Sequence, residues 1–170
     1  MRPALVSLVS LLVLLSLSAS AQTTIDAGVF VGQQPYHSFI DDPRVLSGVE
    51  LLAQRRAVGV HVAGEYADID DTGAILVTHA DVTYRWRLND HIFVLAGAGP
   101  TFVSGLSGGL NTTGNGELEL GYHWPRVEIF ARARQFSFSI RESRGGGEAG
   151  PRGPAAYVGV RFALRRDSSR

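Results

Sequence analysis

With 170 residues, 45% of them hydrophobic, and no Cys, the chain is long enough for one ordinary core but holds no disulfide framework. Its 16 basic residues are all Arg and balance 16 acidic ones, which gives no support to a nucleic-acid role. Beyond the first 21 residues no apolar run approaches the ~20 residues of a membrane-crossing helix, so insertion into a bilayer would have to use strands.

The chain opens with Arg2, an apolar stretch from Ala4 to Ser18, and Ala19-Ser20-Ala21 ahead of Gln22. A short positive segment, an apolar segment and an A-x-A-type site predict a secretory signal over residues 1–21, cleaved after Ala21. Residues 22–164 read as a single domain, with a short polar tail at 165–170. Segments with period-2 alternation succeed one another near 24–33, 45–54, 57–67, 74–88, 91–103, 113–124, 127–140 and 155–164, with no helical period between them. The expectation is an all-β, eight-stranded, antiparallel up-and-down barrel. Its connectors alternate. Arg55-Arg56, Asn89-Asp90 and Pro125-Arg126 are tight breaks, whereas 34–44, 68–73, 104–112 and 141–154 are longer and rich in Gly, Pro, Asp and Ser. Short turns at one end and longer loops at the other are the connectivity of transmembrane barrels.

Along the strands one parity is apolar and the other polar. Val58, Val60 and Val62 oppose Gly59, His61 and Glu65, and Leu118, Leu120, Tyr122 and Trp124 oppose Glu117, Glu119, Gly121 and His123. Tyr84, Trp86, Tyr122, Trp124 and Phe162 fall on the apolar parity close to the short turns, where an aromatic girdle at a membrane interface is expected. The polar parity gathers Asp26, Glu50, Glu65, Asp81, Glu117, Glu119 and Glu128 with Arg85, Arg87, Arg132, Arg134 and Arg161, and with His61, His79 and His123. In an eight-stranded barrel these would meet in a lumen only wide enough for side chains, and buried charges persist there when paired. The expectation is a salt-bridge network that plugs the barrel, including Glu50, Glu65, Asp81, Arg85, Glu117, Glu119, Glu128, Arg132, Arg134 and Arg161.

Chemistry beyond this has little support. The three His come from separate strands without ligand-like spacing, so no metal site is expected. Asp68, Asp70, Asp71 and Gly73 imitate the start of a calcium loop, but His79 stands where the bidentate Glu should be. The segment from Ser104 to Gly116 lacks the ending of a phosphate loop, no G-x-S-x-G element occurs, and no cofactor is expected.

At the C-terminus Tyr157, Gly159, Phe162 and Leu164 resemble the assembly signal of bacterial outer-membrane barrels, followed here by Arg165 to Arg170. The whole mature chain resembles the OmpA-like small outer-membrane β-barrel superfamily. That resemblance implies an outer-membrane location, periplasmic turns and extracellular loops, with membrane lipid and, during assembly, the barrel-insertion machinery as partners; the sequence names no extracellular partner, and a monomer is the expected state. The resemblance does not imply an activity. The lipid A deacylases of this group place His and Ser two apart on a late strand, whereas Tyr36-His37-Ser38 has them adjacent in the first loop, so no catalytic residue carries over. A non-enzymatic structural or surface-interaction role is the first expectation. A narrow pore for small polar solutes, a lipid-modifying enzyme and a soluble lipocalin-like binder stand as alternatives.

Overall fold

Period-2 segments joined by tight turns leave each strand its sequence neighbour as the natural partner, and the computed structural model closes such a meander on itself. It describes residues 23–34, 44–69, 73–105, 109–139 and 153–166. The strands are β1 (Thr23–Gln34), β2 (Arg44–Arg55), β3 (Val58–Ile69), β4 (Gly73–Arg87), β5 (Ile92–Gly105), β6 (Gly109–His123), β7 (Val127–Ser139) and β8 (Gly153–Arg166). Every sequence neighbour pairs antiparallel, and β8 returns to pair with β1, so no edge is left open.

All eight expected strands are present, with ends shifted by at most four residues. Two expected linkers prove to be strand at both of their ends. β3 runs to Ile69 and pairs it with Gly73, and β5 and β6 stay paired out to Gly105 opposite Gly109. Asp, Gly and Ser there have low strand propensity, but pairing within each hairpin holds the backbone extended, and Ser104 and Gly105 also pair with Leu76 and Ile75 of β4. The first two residues of the expected tail are likewise strand: Arg165 pairs with Ile25 and Arg166 with Thr24, beyond a register shift between Ile25 and Asp26. The expected signal segment lies outside the described residues, as do 35–43 and 140–152, which hold most of the expected linkers 34–44 and 141–154.

The turns differ in chemistry. In the β2–β3 turn Arg56 has φ 58°, the left-handed region that favours Gly. Arg56→Gly should therefore raise the stability of the folded barrel by about 0.5–1 kcal/mol, seen as a higher urea midpoint in detergent. An unchanged or lower midpoint would mean that the turn stores no strain. At the β4–β5 turn the Asn89 side-chain oxygen accepts from the backbone N–H of His91 (2.8 Å) and Ile92 (2.7 Å). Pro125 and Arg126 are spanned by a bond from Trp124 N–H to the Val127 carbonyl at 2.8 Å.

The wall is apolar outside and polar inside. Val29, Val31, Val49, Leu51, Val58, Val82, Leu118, Leu120, Ile129 and Val158 are exposed on the outer face. The interior also holds apolar side chains, in two clusters: Phe30, Leu46, Ala63, Phe130, Ala155 and Tyr157 in one, and Leu52, Phe93 and Leu95 in the other. Four inward rings lie over inward glycines on the adjacent strand, at paired positions: Phe30 on Gly48, Phe93 on Gly121, Phe130 on Gly159, and Tyr157 on Gly32. A ring can lie this close to a neighbouring strand only where that strand lacks a Cβ, so these pairs let large rings fit inside a narrow lumen.

Candidate functional site

All ten residues expected in the lumen network are buried. They form a connected column that runs from the short-turn end inward. Arg85 makes a two-pronged contact with Glu128, Nη1 to Oε1 at 2.9 Å and Nη2 to Oε2 at 2.8 Å, while His123 Nδ1 lies 3.0 Å from Glu128 Oε1. Arg161 is the next link. Its guanidinium donates to both oxygens of Glu119 at 2.6 and 2.5 Å and through Nε to Glu50 at 2.5 Å, and it lies 3.7 Å from Glu128. Arg132 donates to Glu50 at 2.7 Å and to the same Glu119 at 2.8 Å.

Deeper in, Arg134 donates to Glu117 at 2.8 Å and to Glu65. Glu65 also accepts from the Tyr157 hydroxyl at 3.1 Å and lies 2.8 Å from His79 Nε2. Planar guanidiniums suit these positions because each can join two carboxylates at once, which an ammonium does less well. Several also lie over rings: Arg85 over Phe93 at 3.9 Å, Arg161 over Phe130 at 4.1 Å, and Arg132 over Phe130 at 4.6 Å.

His61 sits among carboxylates from three strands. Its Nε2 is 3.1 Å from Glu50, its Nδ1 is 2.9 Å from Glu117, and Asp81 Oδ2 is 3.6 Å from the same Nδ1. With a carboxylate at each ring nitrogen, His61 fits best as a doubly donating imidazolium. His61, Asp81 and Glu117 could also present one ligand atom each to a metal ion, their donor atoms lying within 4.8 Å of one another. The same Glu117 is already engaged by Arg134 and His61, so a metal would have to displace a hydrogen bond. Among the described residues the buried lumen groups include seven carboxylates and four Arg, with His61 and His79 between them. The surplus is negative, so the interior disfavours anions.

Outside the lumen the expected aromatic positions are brought together near the turns. Tyr84 and Trp86 have ring centroids 4.6 Å apart and Tyr122 and Trp124 4.5 Å, and Trp86, Trp124 and Phe162 are exposed on the outer wall. The residues matching the assembly pattern split between faces. Tyr157 points inward to Glu65, Gly159 underlies Phe130, and Phe162 and Leu164 are exposed. Arg87, expected on the lumen face, is exposed at the rim because β4 ends there. The acidic segment that imitates a calcium loop begins in paired strand, Asp68 opposite Ala74, while Asp70, Asp71, His37 and Ser38 lie outside the described residues.

The sequence reading missed the inward rings Phe30, Phe93 and Phe130. A signal for them exists: Phe30 shares the parity of Gly28 and Phe130 that of Glu128 and Arg132, so both fall on the polar face of their strands.

No family model matches the chain, and no curated protein matches it in sequence. Solved structures do match in fold. The de novo designed TMB2.3 gives a TM-score of 0.54 at 10% identity, covering 86% of this chain and 98% of that one. The N-terminal β-barrel domain of OprF from Pseudomonas aeruginosa gives 0.54 at 16% identity, covering 83% and 97%. Neisserial surface protein A gives 0.52 at 10% identity, covering 85% and 98%. With its closed eight-stranded meander, apolar outer wall and charged lumen, this chain has the fold of the small eight-stranded outer-membrane β-barrels.

Proposed function

We propose that the protein is a non-enzymatic barrel of the outer membrane, plugged by its own side chains, with a structural or surface-interaction role borne by the loop end. The observation that carries this reading is the unbroken column of contacts from Arg85 through Glu128, Arg161, Glu119, Arg132 and Glu50 to His61, Glu117, Arg134, Glu65 and His79. A permeating ion would have to break several buried charge pairs in sequence, each of which is costly to separate in a low-dielectric interior. The apolar outer wall supports placement in lipid, since a monomer in water would expose far more contiguous apolar surface than soluble proteins tolerate.

The purified chain should migrate on gels in a heat-modifiable way in detergent, and planar bilayers containing it should show no steady conductance at neutral pH. Soluble, monodisperse protein without detergent would sink the membrane reading. Steady cation-selective current that changes on Glu119→Ala would instead favour the narrow pore, the reading consistent with the surplus of lumen carboxylates.

A further inference from the structure

One arc of the turn-end rim carries exposed Arg side chains that lie outside the lumen. Arg55, Arg56, Arg87, Arg126 and Arg165 are all exposed, and the exposed carboxylate among the described residues of that rim is Asp90. The strand ladder makes the Arg residues neighbours. Arg55 is paired with Thr23 at the start of β1, and the next residues of β1, Thr24 and Ile25, pair with Arg166 and Arg165 of β8. The Ala163 N–H donates to the Arg126 carbonyl at 3.0 Å, which sets the β6–β7 turn beside the end of β8. On the other side the Arg85 N–H donates to the Ala57 carbonyl at 2.7 Å, which sets the Arg56 turn beside the end of β4 and Arg87. The result is a continuous arc from β7 through β8, β1, β2 and β3 to β4. Among the described residues Arg55, Arg56, Arg87 and Arg126 form no ion pair with a protein carboxylate.

The same rim carries Tyr84, Trp86, Trp124 and Phe162 on its outer wall. Such rings settle at the headgroup level of a bilayer, so the arc lies where lipid phosphates lie. A guanidinium offers a planar fork of donors that matches a phosphate, and each basic residue at an anionic surface adds attraction that falls off within a Debye length. We propose that this arc is a binding surface for anionic phospholipid headgroups of the leaflet that faces the turns. The proposal rests on the reading of the chain as a membrane barrel and adds to it a lipid class and an orientation.

The chain has two Trp, Trp86 and Trp124, and both lie on this rim, so their fluorescence reports the lipids next to the arc. The barrel is refolded into vesicles of phosphatidylcholine mixed with either brominated phosphatidylglycerol or brominated phosphatidylcholine. Quenching by the brominated anionic lipid should correspond to about fivefold or greater local enrichment over the zwitterionic one, weakening as salt rises. The quadruple variant Arg55→Gln, Arg56→Gln, Arg87→Gln, Arg126→Gln should lose that enrichment while still inserting with heat-modifiable migration. Equal quenching by the two lipids in the wild type would overturn the proposal and leave the arc to a soluble acidic partner. Enrichment that survives in the quadruple variant would overturn it as well. Absence of quenching by either lipid, together with loss of heat-modifiable migration, would defeat the membrane reading itself.

Discussion

Arg161→Met should destabilise the folded barrel by about 3–5 kcal/mol, the range for removing one partner from a buried charge pair. Arg161 is 1% exposed, and its guanidinium is committed to Glu50 and to both oxygens of Glu119 while its face covers the Phe130 ring. Removing the guanidinium leaves Glu50 to Arg132 and His61, and leaves Glu119 with Arg132 alone, a cation it must share with Glu50. Arg161→Lys should recover only part of the loss, because one ammonium cannot hold Glu119 on two prongs and reach Glu50 together. The double variant Arg161→Met, Glu119→Gln should be more stable than Arg161→Met, since it removes the stranded charge along with its partner. Urea unfolding in lipid vesicles, followed by Trp fluorescence, measures all three. A loss under about 1 kcal/mol for Arg161→Met would show that the column carries little of the stability.

Charge in this interior substitutes for the apolar core of a soluble domain. A barrel in lipid gains little from the outward Val and Leu residues, whose surroundings in the bilayer are already apolar, so specificity must come from the ladder and the lumen. Eight strands leave room for one layer of side chains, and four Arg can each tie carboxylates from strands far apart in sequence. Arg161 of β8 reaches Glu50 of β2 and Glu119 of β6, and Arg134 of β7 reaches Glu65 of β3. These ties fix the shape of the cross-section, which the hydrogen-bonded wall by itself would leave free to flatten.

The wall was legible in the sequence because it depends on local features. Period-2 alternation gives each face, and Pro125-Arg126 and Asn89-Asp90 mark turns through their own backbone chemistry. The ends of the loops were not legible to the same degree. Ser104 and Gly105 have the composition of a linker but are held as strand by Leu76 and Ile75 on one side and by their hairpin partners Leu110 and Gly109 on the other. The membership of the lumen network follows from parity, but its wiring does not. His61 meets Glu50, Asp81 and Glu117 because β2, β4 and β6 curve around it, and the Glu117 contact is set by barrel closure and not by the pairing of β3 with its neighbours. The inward Phe residues were readable from their parity, although a pattern that equates apolar with outward conceals them.

Gly121→Ala should cost about 1–3 kcal/mol by overpacking, and the cost should depend on a residue of another strand. A Cβ on Gly121 would overlap Cζ of Phe93 and stand 2.5 Å from its Cε1, well inside contact distance. The ring has little room to retreat, since Arg85 lies 3.9 Å above its centroid and Leu52 and Leu95 pack in the same buried cluster. Phe93→Ala alone should cost about 3–5 kcal/mol, as the ring leaves a cavity beneath Arg85 and uncovers Gly121. In the double variant the new Cβ enters space the ring has vacated, so its cost should fall short of the sum by about 1–2 kcal/mol. Strictly additive costs would mean that ring and glycine act independently. The same pairing occurs at Gly159 under Phe130, but Gly159 also lies in the segment that resembles the assembly signal, where a loss could come from failed insertion as easily as from packing. Gly121 lies outside that segment, so its coupling to Phe93 isolates the packing of ring on glycine that lets so narrow a barrel close.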